Sequence, residues 1–212
     1  MDEKFVILVQ KVPPGFQLTV HASYQCEDGH SWEAFGHYTA DASGTLSCVV
    51  CIGGSHVQPA DGSVEQVLKY MHKNSEKTRF SEKNEMIWRD LLLPIPTDPS
   101  LKVDVGRLQC PLMLVACEDD QNWPAPESAK DMKEMMERAG NSHLLTVLSY
   151  PKAGHLIEPP YTPHARVSMF KTVGKREKLM VLWGGETVEH SRAQEDAWRK
   201  MLVFLTENLF PT

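Results

Sequence analysis

No stretch of this chain is apolar for long enough to cross a bilayer, and its charge has no basic surplus. Its 212 residues carry 22 Lys and Arg against 28 Asp and Glu, a formal net charge of −6 at pH 7. A nucleic acid or an anionic membrane surface would require a cationic face, so neither is expected as the main partner, and no membrane span is expected. Cysteine is sparse, with five residues at Cys26, Cys48, Cys51, Cys110 and Cys117. An odd, scattered set fits reduced thiols rather than a disulfide framework. Cys48-Val49-Val50-Cys51 lacks the second pair a zinc site needs and has β-branched spacers, so it reads as buried strand; no metal or redox cofactor is expected. Met1-Asp2-Glu3-Lys4 is neither a signal n-region nor an Arg-rich transit peptide, and Phe210-Pro211-Thr212 is not a peroxisomal ending. Together these absences point to a soluble cytoplasmic protein.

The length admits one or two ordinary domains. Residues 5 to 47 read as β structure: Phe5 to Val9 is apolar, Val12-Pro13-Pro14-Gly15 is turn chemistry, and Gln17 to Ala22 alternates. Asp28-Gly29-His30 makes a hairpin-like turn into a second alternating run, Trp32 to Tyr38. Cys48 to Ile52 is an apolar strand entering the glycine turn Gly53-Gly54. Beyond it, Val64 to Met71 reads as a short helix, Lys73 to Lys83 as an exposed charged stretch, and Glu85 to Leu93 as an apolar patch. Pro94, Pro96 and Pro99 then mark a loop.

From Pro111 the signals sharpen. Pro111 to Cys117 is an apolar strand ending in the carboxylates Glu118-Asp119-Asp120, and Leu144 to Leu148 reads as a buried parallel strand followed by Ala153-Gly154-His155. A helix is predicted from Pro126 to Gly140, with Ala129, Met132, Met136 and Ala139 on one face. Further on, a helix is read over Pro163 to Val173, a short strand over Leu179 to Leu182, and a final helix over Ala193 to Leu209. Its core stripe is Ala193, Ala197, Met201 and Leu205, widened by Trp198 and Leu202.

An acid at the end of one strand and a histidine on a tight loop after another are what an α/β-hydrolase uses to orient and supply its base. The motifs A-G-H-L-I-E-P-P-Y, W-G-G-E and H-S-R-A-Q-E-D-A-W, with E-D-D-Q-N-W upstream, closely resemble the end of the acyl-CoA thioesterase and bile acid-CoA:amino acid N-acyltransferase family. The resemblance implies a fatty acyl-CoA substrate and a fold of class α/β. Residues 1–47 would be the opening strands of an amino-terminal β-sandwich, and residues 48–212 the late strands and helices of a partial α/β-hydrolase. It also implies His155 as general base and Asp120 as orienting acid, with Asp119 the fallback, since residue type does not separate adjacent aspartates. Glu158 is a candidate partner supporting the histidine loop, and His190 is a candidate loop contact that reads in preference as a solvated helix-start histidine.

The nucleophile is what the resemblance does not supply. Cys51-Ile52-Gly53-Gly54 imitates the family's nucleophile-x-Gly-Gly pattern, which makes Cys51 a weak nucleophile candidate. Yet Val49 stands where the elbow needs glycine, and the resemblance implies that the separation of Ile52 from Asp120 suits the strand after the elbow. Gly53-Gly54-Ser55-His56-Val57 misses G-x-S-x-G at its last position. The chain therefore reads as passing from early sandwich near Leu46 into late hydrolase strands, without the nucleophile segment and its oxyanion donors. An alternative transcript, an incomplete gene model or a decayed duplicate would each produce this. Three functions remain open at this level: a thioesterase-family chain that is inactive or weak, a Cys51-dependent N-acyltransferase, and a non-enzymatic fragment that associates with a full-length relative.

Overall fold

The computed structural model describes residues 17–25, 31–39, 48–57, 71–171 and 178–209. In chain order the elements are β1 (Gln17–Gln25), β2 (Ser31–Thr39), β3 (Val49–Ile52), β4 (Arg79–Phe80), β5 (Met86–Ile87), β6 (Leu112–Cys117), α1 (Ala125–Arg138), β7 (Leu145–Tyr150), β8 (Val167–Lys171), β9 (Lys178–Leu182) and α2 (Thr187–Leu209). The chain divides into two compact units, one within Glu3–Cys48 and one from Val49 onward. In the first, β1 and β2 form an antiparallel ladder running from Gln17 opposite Thr39 to Gln25 opposite Ser31. The strand expected at Phe5 to Val9, both turns around β1, and Val64 to Tyr70 of the expected short helix lie outside the described residues.

The second unit is an α/β arrangement built on a parallel sheet in the order β3-β6-β7. All six residues of β6 are buried, as befits a central strand covered on both faces. Alternation along it sends Leu112, Leu114 and Ala116 to one face, where they pack with Ala129, Met132 and Met136 of α1. Each of the larger side chains buried there contributes about 1.5–3 kcal/mol. On the other face, Met113 and Leu148 line a depression with Val203 and Phe204 of α2, and Tyr150 donates to Asp196 of that helix at 2.8 Å. Gly140, at φ +75°, closes α1 just past its end, as expected, whereas Ala139 is exposed instead of on the core face.

β7 is only half-buried rather than fully so, because it has a neighbour on one side alone among the described residues. A second sheet, in the order β4-β5-β9-β8, covers a helix expectation: residues 167–171 form β8, paired antiparallel with β9 from Val167 opposite Leu182 to Lys171 opposite Lys178. Val167-Ser168-Met169-Phe170 carries a β-branched and an aromatic residue, so once β9 offers a partner the strand wins. The final helix begins at Thr187, earlier than its apolar stripe suggests. Trp198 and Leu202, expected to widen that stripe, are 39% and 48% exposed.

Candidate active site

The site forms where β6 and β7 end. The turn after β6 is tied to the turn after β7, with Glu118 N–H donating to Tyr150 O at 3.0 Å and Asp119 N–H to Ala153 O at 2.9 Å. This brings the acid loop and the histidine loop edge to edge, and Asp120 and His155 meet. Asp120 Oδ1 accepts the backbone N–H groups of Asn122 and Trp123, both at 2.8 Å, while Oδ2 lies 2.9 Å from His155 Nδ1. Both side chains are buried, Asp120 completely and His155 to within 1%. A buried carboxylate held this way fixes the imidazole tautomer with its proton on Nδ1, leaving the Nε2 lone pair as the basic position.

The neighbouring aspartate turns the other way. Asp119 Oδ2 accepts from Gly185 N–H at 2.7 Å and from Arg166 Nη1 at 3.1 Å, and its Oδ1 accepts from Gln121 at 2.7 Å. Beside Asp119 lies a shallow polar depression lined by Glu118, Lys152, Arg166, Glu186 and Glu189. Its surplus of carboxylates suits neither an acyl chain nor the phosphates of coenzyme A.

His155 is held from several sides. Its N–H donates to Trp183 O at 2.9 Å, and the Trp183 ring stacks near it at 5.8 Å between centroids. The end of β3 closes on the Nδ1 side: Gly53, at φ +54°, comes so near that a Cβ there would stand 3.5 Å from Asp120 Oδ2 and 3.7 Å from His155 Nδ1. His155 Nε2 is buried and, among the described residues, has no hydrogen-bond partner.

Cys51 makes no hydrogen bond to that nitrogen. It pairs with Leu114 within the parallel ladder and packs against the α1 cluster, and its Sγ turns toward Gly54, where a Cβ would stand 2.6 Å away. In the turn after β3 the left-handed backbone angle belongs to Gly53, two residues later.

Of the flanking residues, Glu158 is exposed. His190, expected to be solvated, is fully buried. Its Nδ1 accepts from Gly154 N–H at 3.0 Å and its Nε2 lies 2.9 Å from Leu156 O. Burial, and then the neighbouring His164, hold its pKa below the ordinary histidine value. One signal could have found it: His190 is in helical phase with Ala193, Ala197, Met201 and Phe204, all buried. Among the described residues no group of three His, Cys, Asp or Glu side chains is arranged to hold a metal, and no helix is long and apolar enough to cross a membrane.

Residues 34–211 match the family described as BAAT / Acyl-CoA thioester hydrolase C terminal. The chain is 36% identical to peroxisomal succinyl-coenzyme A thioesterase of Mus musculus over 115 residues, covering 54% of this chain and 26% of that protein. It is 37% identical to bile acid-CoA:amino acid N-acyltransferase of Mus musculus over 102 residues, 47% of this chain and 22% of that protein. Acyl-coenzyme A thioesterase 2, mitochondrial, of Homo sapiens is 32% identical over 107 residues, 50% of this chain and 21% of its own length. The matched segment thus spans about a quarter or less of these relatives. With the family covering residues 34–211, the chain belongs to the BAAT and acyl-CoA thioester hydrolase C-terminal family.

Proposed function

We propose that this chain carries the base and the orienting acid of an acyl-CoA thioester hydrolase without the nucleophile they serve, and that it is inactive or weak in hydrolysing fatty acyl-CoA to fatty acid and coenzyme A. In this reading residues 48–212 are the carboxyl-terminal part of an α/β-hydrolase domain, and residues 1–47 the opening of a β-sandwich. His155 is the base and Asp120 its partner.

The observation that carries the reading is the asymmetry of the His155 ring. Nδ1 is 2.9 Å from Asp120, while Nε2, the atom that would take the nucleophile's proton, is buried with no hydroxyl or thiol among the described residues bonded to it. Thioester cleavage through an acyl-enzyme needs that proton transfer, together with amide donors for the oxyanion. Burial also argues against direct attack by a base-activated water, since Nε2 is shut off from solvent. Loss of a triad nucleophile removes most of the acceleration even where the remaining groups survive.

The test is incubation of the purified chain with a long-chain acyl-CoA, following thiol release and the intact mass of the protein. The expected result is coenzyme A release at the rate of the protein-free control and an unmodified Cys51. An acyl group on Cys51 with release above control would replace this reading with a Cys51-dependent acyltransferase.

A further inference from the structure

The three motifs that flank the candidate base, A-G-H, W-G-G-E and the histidine that opens H-S-R-A-Q-E-D-A-W, close into one clasp. Gly154 packs so tightly on the W-G-G-E turn that a Cβ there would stand 2.3 Å from Gly184 C and O. Gly185, at φ +92°, sits where a Cβ would be 2.7 Å from His190 Nδ1, 2.8 Å from Gly154 N and 2.9 Å from His164 Cε1. The His164 and His190 rings stack at 4.0 Å between centroids, and His164 Nε2 lies 3.0 Å from Gly185 O.

We propose that His190 is the positioning residue of the histidine loop, its neutral imidazole holding the backbone on both sides of His155 and so fixing the ring's aim at Asp120. The chemistry of its two partners dictates the tautomer. Gly154 N–H can only donate, so Nδ1 must offer a lone pair; Leu156 O can only accept, so Nε2 must carry the hydrogen. These partners are the residues immediately before and after His155. A second proton on His190 would set an N–H against the Gly154 N–H, so the clasp opens as His190 becomes charged.

Burial and His164, rather than the carboxylates on the elements around it, favour the neutral form of His190. His164 stacks on it, and a charge there would repel a second one. Asp119 and Arg166 reach the clasp through Gly185, accepting from its N–H and donating to its O. At the start of α2, Arg166 lies 3.5 Å from Glu186, Glu189 is paired with Lys152, and Glu158 is exposed beyond Leu156. Burial is the largest effect and opposes the proton. The functional meaning of this assignment rests on reading His155 and Asp120 as a base and its acid, but its geometry does not.

The test is nuclear magnetic resonance of the isotopically labelled full chain, reading the ring Nδ1–H proton of His155 and the exchange rate of the Gly154 amide. A slowly exchanging Nδ1–H signal is expected near neutral pH and should vanish in Asp120→Ala. His190→Phe keeps the ring stack but removes both hydrogen bonds, and should lose that signal and speed Gly154 exchange about fivefold or more, the loss of one hydrogen bond of typical strength. His190→Asn, which keeps an acceptor for Gly154, should restore part of the protection. An unchanged His155 signal in a folded His190→Phe overturns the His190 proposal while leaving the base and acid reading intact. If the wild type shows no Nδ1–H signal sensitive to Asp120, that reading fails and this one with it. Should His190→Phe not fold, the wild-type titration decides: the signal must fade in step with His190, and fading with His155 alone refutes the assignment.

Discussion

Asp120 has no exposed surface, yet it accepts three hydrogen bonds, two from its own loop and one from His155. Removing it would strand buried donors, each of which costs about 1–3 kcal/mol when left unsatisfied. Asp120→Ala is therefore expected to lower stability by about 3 kcal/mol, read as a fall in the urea midpoint at unchanged slope. Asp119→Ala should cost less, about 1–2 kcal/mol, because the Arg166 and Gln121 groups it releases can turn to water and only the buried Gly185 N–H is left stranded. Equal losses in the two variants would mean that the buried aspartate is not the structural anchor it looks to be. In the sequence these two residues are the same letter twice, and only the turn geometry separates them.

The helix α2 shows where sequence periodicity is trustworthy and where it is not. Ala197 is 1% exposed against the sheet, whereas Leu202 is 48% exposed. Ala197→Leu should cost about 1–3 kcal/mol by overpacking, while Leu202→Lys should stay within about 0.5 kcal/mol. Thermal unfolding of the two variants side by side checks the assignment of faces. Strand β6 and helix α1 could be read directly from the sequence, the one as an unbroken apolar run and the other from an apolar face bounded by Pro126 and Gly140. Strand β8 could not, since these five residues become a strand only when β9 arrives to pair with them, and that partner lies beyond the reach of local pattern. The same holds at the site. Asp120 and His155 stand out by motif and position, while His190 looks like any histidine near a helix start until its phase with Ala193 and Ala197 is followed backwards.

Among the described residues, the buried histidines His56 and His190 make stability a function of pH. His56, three residues beyond Gly53, has its Nε2 2.6 Å from Asp131 Oδ2, which also accepts from Lys102 at 2.9 Å. Val103 N–H donates to His56 O at 2.8 Å, so this cluster binds the end of β3, the segment before β6 and α1. Burial pushes the His56 pKa below 6.5, outweighing the hydrogen bond and charge of Asp131 that favour the proton, and His190 is lowered by burial as well. Both groups bind a proton more readily unfolded than folded, so the stability they contribute is present above about pH 6.5 and drains away as pH falls below it. Burial raises the Asp131 pKa, but hydrogen bonds from Lys102 and His56 outweigh it and bring the carboxyl below 3.8, so its contribution is lost only at more acid pH. Denaturant midpoints should therefore be level between pH 8 and 7 and decline from pH 6.5 to 5. In His56→Gln the wild-type decline should become shallower, because one of the two proton-linked groups is gone. A parallel decline in both proteins would assign the acid sensitivity to groups other than His56.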